Sequence, residues 1–118
     1  MPSSKPWVRL NDIAENIERV RRYVGDMSLD QFVADEKSAD ATERCMLRIS
    51  EAAVKLGSFA EKLLPGHDWS AIRGIGNILR HDYDRVSIPM IYDTVVQNFE
   101  PLLNDLRRAI SAHDEAER

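Results

Sequence analysis

Apolar residues recur along this chain at steps of three and four, the spacing of a helix face. The first such stripe is Leu10, Ile13, Ile17, Val20 and Val24, with Asn11, Asp12, Glu15, Glu18, Arg19, Arg21 and Arg22 on the other side. Gly25 is a suitable helix stop. Ser28 followed by Gln31 has the pattern of a capping box, which predicts a short helix over 29–35 with Leu29, Phe32 and Val33 facing inward. A long helix is expected to start near Ser38. Its stripe runs Cys45, Met46, Ile49, Ala52, Ala53, Leu56, Phe59, Ala60, Leu63, and Pro65 and Gly66 end it. Gly57 lies inside that span; there a close neighbour needs the gap or the helix is weakened.

Asp68 can cap a further helix whose apolar side is Trp69, Ile72, Ile75 or Gly76, and Leu79. Two more helical pieces follow, 87–98 and 99–113, along Ile91, Val95, Phe99, Leu102, Leu106 and Ile110, with a bend expected near Pro101. No segment alternates in the manner of a strand. The pattern therefore predicts an all-α domain, an up-and-down bundle of five or six helices. It spans residues 1–118 as one domain with its core at about 8–112.

Apolar residues form 43% and charged residues 31% of the chain, the composition of an ordinary globular domain. No apolar run reaches the ~20 residues needed to cross a bilayer, and the start "MPSSKPWVRLND" has no signal-peptide core, so a cytoplasmic protein without a membrane partner is expected. The single Cys45 excludes an internal disulfide and a cysteine-cluster zinc site; its place on the apolar stripe makes it a small core residue. The net charge of −4 argues against a broad nucleic-acid surface.

The stretch "IRGIGNILRHDYDRV", 72–86, holds the candidate chemistry. Arg73, Asn77 and His81 are spaced by four and form one polar ridge on a continuous helix. Side chains lean toward the helix N-terminus, so His81 leans onto Asn77, whose amide is placed to fix the imidazole tautomer. Gly74 and Gly76 allow a close approach to the backbone. Such a ridge is by default a solvated face, and glycines can serve helix packing alone. His81, Asp82 and Asp84 do not converge on one point of a helix, which argues against a metal site. His67 and His113 fall in a loop and a tail, where solvent exposure is expected. No nucleophile is paired with a base in a triad pattern.

Over most of its length the chain resembles the HepT-like branch of the HEPN superfamily. The resemblance rests on "LNDIAENIERVRRYV", "SLDQFVADEKSADATERCMLRISEAAVKLG", "DWSAIRGIGNILRHDYDRVSIPMIYDTV" and "PLLNDL" in that order, with "NILRHDY" the sharpest part. It implies an all-α HEPN-like homodimer that needs no cofactor. The activity implied is that of the toxin of a type VII toxin–antitoxin pair, a metal-independent endoribonuclease. The implied partners are RNA and a minimal nucleotidyltransferase (MntA-like) antitoxin that AMPylates the toxin on a tyrosine. Carried over by position, the family histidine is His81, the modified tyrosine Tyr83, and the polar residue that follows the family arginine Asn77.

The family arginine itself falls on Gly76, so Arg73 and Arg80 are the available phosphate contacts. Arg73 is two turns, about 12 Å, from His81 and leans away from it. Metal-free cleavage uses the ribose 2′-hydroxyl as nucleophile and needs a base, an acid and positive charge on the phosphorane. One chain offers one suitable imidazole, and a two-fold dimer offers two. Two other readings follow from the missing arginine and the default reading of the ridge: a catalytically inactive HEPN module that only binds a nucleotidyltransferase, and a purely structural dimeric helical domain.

Overall fold

Gly25 ends the first helix because its φ of +51° lies in the left-handed region, which glycine enters without a Cβ penalty. The computed structural model describes residues 5–81 and 87–118. The helices are α1 (Pro6–Val24), α2 (Leu29–Ala34), α3 (Glu36–Leu56), α4 (Phe59–Leu63), α5 (Trp69–His81), α6 (Ile88–Thr94) and α7 (Glu100–Ala116). A π-helical turn, Val95–Phe99, joins α6 to α7 without interrupting the helical path. With that run counted once, six helical pieces and no strand make up the described residues, an all-α, HEPN-like fold.

The predicted stripes form the core. Leu10, Ile13, Ile17 and Val20 on α1 are wholly buried, and they meet Cys45, Ile49, Ala53 and Leu56 on α3. Leu102, Leu103 and Leu106 bring α7 onto α1. Trp7 near the start of α1 stacks on His113 near the end of α7, and the Arg107–Glu18 ion pair ties the same helices farther along, so α1 and α7 are antiparallel.

Four local details differ from the expectation. The long helix stops at Leu56, because Gly57 takes a φ of +57°, and Ala60 then opens the separate α4 segment onto the core. Asp35 rather than Ser38 caps α3: its carboxylate accepts the Ser38 N–H at 3.0 Å and the Ser38 hydroxyl at 2.9 Å. On α2 the capping box forms as expected. Only Phe32 of the three apolar side chains faces inward, against Tyr92, while Leu29 and Val33 are exposed; a helix of six residues is too short to bury more than one such position. In place of the bend expected at Pro101, a π turn lies one turn earlier, at Val95–Phe99. Proline lacks the N–H that would bond the Gln97 carbonyl in a regular helix.

Both remaining histidines have partners. His67 meets Asp105 of α7 at 2.7 Å, tying the α4–α5 loop to the last helix. His113 lies 3.8 Å from Trp7, ring over ring. Among the described residues no helix is long and apolar enough to cross a membrane.

Candidate functional site

α5 is anchored at its start and pressed onto α3 in its middle, which leaves its last turn open. Trp69 is buried and its indole N–H donates to the Leu64 carbonyl at 2.8 Å. Asp68 accepts the Ala71 N–H at 3.0 Å, the expected cap. Farther along, the Ser50 hydroxyl of α3 donates to the Arg73 carbonyl at 2.8 Å and accepts the Gly76 N–H at 2.9 Å. A Cβ on Gly76 would stand 2.5 Å from Ser50 Oγ and 2.9 Å from its Cβ. Gly76 is therefore fixed by the approach of two helices, and a side chain there would have to displace Ser50. Gly74 faces open space and makes no comparable contact.

The helix is continuous from Trp69 to His81, so Arg73, Asn77 and His81 do share one ridge. The two ends of that ridge are differently employed. Arg73 is drawn to the broken end of α3. Its Nη2 donates to the Gly57 carbonyl at 2.9 Å, its Nε reaches the Ala53 carbonyl at 3.4 Å, and Nη1 and Nη2 grip both oxygens of Glu61. Carbonyls at a helix C-terminus lack intrahelical donors, and the guanidinium supplies them. In return, the hydrogen bond from Arg73 holds the Glu61 carboxyl below its ordinary value. Asn77 and His81 are exposed, and no hydrogen bond joins them; the amide does not fix the imidazole tautomer in this conformation.

Arg80 leans back along the helix, as helical side chains do. Its Nη1 comes 3.4 Å from the point where a Gly76 Cβ would stand. The same Nη1 is 3.6 Å from Glu51 Oε1, and the side chain keeps 44% exposure. The guanidinium thus lies over Gly76, carried there from one turn farther on. On another side of α5 runs an apolar groove formed by Ile75, Ile78, Met46, Met90 and Thr94, in which Ile78 and Met90 are exposed. Tyr83, with Asp82 and Asp84, lies outside the described residues. Among those described, no group of three or more His, Cys, Asp or Glu side chains gathers as metal ligands.

The residue that sequence reasoning missed is Ser50. It lies on the buried side of α3 between Ile49 and the Ala52–Ala53 pair, wholly enclosed and polar. A serine within an apolar stripe was the available signal, since a buried hydroxyl needs partners.

Comparison with known proteins identifies the family. The family model described as "Ribonuclease HepT-like" matches residues 13–109. A Methanocaldococcus jannaschii protein named "Putative RNase MJ0127" is 26% identical over 110 residues, covering 93% of this chain and 91% of its own. A Thermococcus cleftensis protein named "Probable ribonuclease HepT" is 27% identical over 93 residues, 79% of this chain and 84% of its own. No solved structure matches the chain significantly. The match extends from α1 into α7 and includes the whole of α5 with its exposed Asn77 and His81: the chain belongs to the HepT-like ribonuclease family.

Proposed function

We propose that this chain is a metal-independent endoribonuclease that acts as a homodimer, the toxin of a type VII toxin–antitoxin pair. His81 is the general acid and base, Asn77 orients the substrate, and Arg80 contacts the scissile phosphate. The observation that carries this reading is the Arg80 guanidinium folded back over Gly76, beside two exposed polar residues of the same helix. Of the two arginines expected as phosphate contacts, Arg73 is held by Glu61 and two carbonyls, whereas Arg80 has one long contact to Glu51.

The reaction needs little more than these groups. One imidazole takes the proton of the ribose 2′-hydroxyl, and the oxygen attacks the adjacent phosphorus. Charge builds on the phosphorane oxygens, where the guanidinium stabilises it. The bond to the 5′-oxygen breaks, and a protonated imidazole, supplied by the second copy, gives that oxygen its proton. The products are a 2′,3′-cyclic phosphate and a 5′-hydroxyl. Both histidine roles are filled at once only when two chains face each other, which is the chemical reason for a dimer.

Tyr83 is the acceptor for AMPylation by a minimal nucleotidyltransferase antitoxin. Adenylate two residues from His81 brings negative charge where the RNA phosphate must sit, and so opposes binding. The second reading, a HEPN module that binds the nucleotidyltransferase without cleaving RNA, is favoured by the glycine at position 76. Growth inhibition and RNA cleavage in EDTA separate the two. The wild type is expected to inhibit growth and leave 2′,3′-cyclic phosphate ends, and His81→Ala to do neither. Wild type without cleavage at any dimer concentration selects the binding module. Co-expression with the nucleotidyltransferase is expected to add 329 Da multiples — roughly one adenylate each — to the peptide containing Tyr83, and an unmodified peptide removes the regulatory half.

A further inference from the structure

The α1–α3 face gathers arginines that the molecule does not neutralise. Arg19 from the second half of α1 and Arg48 from the middle of α3 line one groove between the two helices, and Arg22 follows Arg19 three residues on along α1. Among the described residues none of the three has a carboxylate within ion-pair distance; Arg9, Arg73, Arg80, Arg107 and Arg108 each have one. Arg19 donates instead to the neutral Asn16 amide oxygen at 3.4 Å. The chain carries 20 acidic residues against 16 basic ones, so carboxylates are not scarce. Like charges held together without counter-charge repel, and an anion from outside relieves that repulsion.

The cluster opens into a groove of about 320 Å³ between the two helices, lined by Arg9, Arg19, Arg48 and Lys55. Two of its three carboxylates are already engaged, Asp12 by Arg9 and Glu51 by Arg80, which leaves Glu15 on the rim. Through Glu51 the groove reaches Arg80, and Arg80 adjoins His81. Arg19 on α1, Arg48 on α3 and Arg80 on α5 therefore lie along one path, with Glu51 between the last two. Guanidinium forks match phosphate oxygens in pairs, and a row of them along an extended groove suits a chain of phosphates.

We propose that this groove carries the phosphate backbone of single-stranded RNA toward His81. The inference rests on the ribonuclease reading for its direction, and on the unpaired arginines for its existence. The groove's lining carries four cations against three carboxylates, two of which are already paired, so it is locally positive in a chain of net charge −4.

The test uses the full chain carrying His81→Ala, so that a labelled mixed-sequence RNA oligonucleotide stays intact, with fluorescence anisotropy across a sodium chloride series. Arg19→Gln with Arg48→Gln is expected to weaken binding about tenfold and to lower the slope of log affinity against log salt by ~1.4, two phosphate contacts to a single strand. Glu15→Gln is expected to tighten binding, a gain that unfolding cannot mimic. Arg108→Gln on α7 leaves both quantities as they were. Unchanged affinity and slope in the double variant overturn the groove, as does polyglutamate displacing the RNA as well as unlabelled RNA does, which reassigns the face to an acidic protein. Cleavage by the wild type is followed in parallel. Charge-dependent binding without cleavage keeps the groove and removes the ribonuclease reading; cleavage with charge-independent binding does the reverse.

Discussion

Position 76 decides how this chain arranges its cations. Where the family arginine would begin, the helix backbone lies against Ser50, and a Cβ would sit 2.5 Å from the hydroxyl oxygen. Gly76→Ala is therefore expected to destabilise the fold by about 1–3 kcal/mol, the usual cost of overpacking. Gly76→Arg is expected to cost at least as much, and to leave cleavage no higher than in the wild type. Urea unfolding of each variant checks the first point, and a partial rescue of Gly76→Ala by Ser50→Gly checks its cause. In the proposed mechanism Arg80 then bears the phosphate contact alone. Arg80→Gln is expected to reduce cleavage by ~10²–10³, as loss of a charge-stabilising donor does, with an unchanged urea midpoint. Arg73→Gln is expected to show the opposite: a lower midpoint, since the Gly57 carbonyl and Glu61 lose their donor, and cleavage near wild type at temperatures where the variant is folded. Equal losses of activity in the two variants would mean that Arg73 leaves Glu61 to serve the phosphate.

Among the elements, what could be read from the sequence follows a simple division. Stripes at steps of three and four were legible, because they record burial within one helix, and Ser28 with Gln31 was legible because its bonds are local. Gly57 was ambiguous. Its sequence context fits a continuous stripe through Leu63, and only the contact with Arg73 from α5 shows what the break serves. His67 reads as solvent-exposed in the sequence because its partner, Asp105, lies 38 positions away, and His113 because Trp7 stands at the other end of the chain. In the candidate site the ridge itself was legible, while the two arginine conformations were not, since each is set by a carboxylate on another helix. The cap of α3 was misplaced by three residues, and that has a consequence in acid. The Ser38 N–H, and then its hydroxyl, hold the Asp35 carboxyl below its ordinary 3.8. Its folded pKa is depressed, so the stabilisation is full above about pH 4 and is lost as pH falls through the lowered folded value. Asp35→Ala is expected to lower the urea midpoint at pH 7, with the gap from wild type closing as pH falls below the ordinary carboxylate range and through the lowered folded value. A gap that persists undiminished in acid would show that the cap acts without its charge.

At the scale of the whole molecule, the site lies where one chain runs out of groups. His81 is a single imidazole at the end of a helix, and the chemistry proposed for it needs two. The surface beside it is the apolar groove of α5 and α6, where Ile78 and Met90 keep 39% and 55% of their surface exposed. Apolar side chains left open next to a half-complete site are what a second copy, related by a two-fold axis, would cover while bringing its own histidine across. If that face is the dimer contact, a charge placed on it separates the chains without touching a catalytic group. Met90→Glu is expected to shift the sedimenting species from dimer to monomer and to remove cleavage with it, while far-ultraviolet circular dichroism stays that of the folded helices. Val8→Glu, which charges an equally exposed apolar residue on α1, is expected to leave mass and cleavage intact. The two readouts must move together. A Met90→Glu protein that sediments as a monomer and still cleaves RNA would show that one imidazole suffices, and the two-histidine mechanism would fall even though the dimer contact had been found.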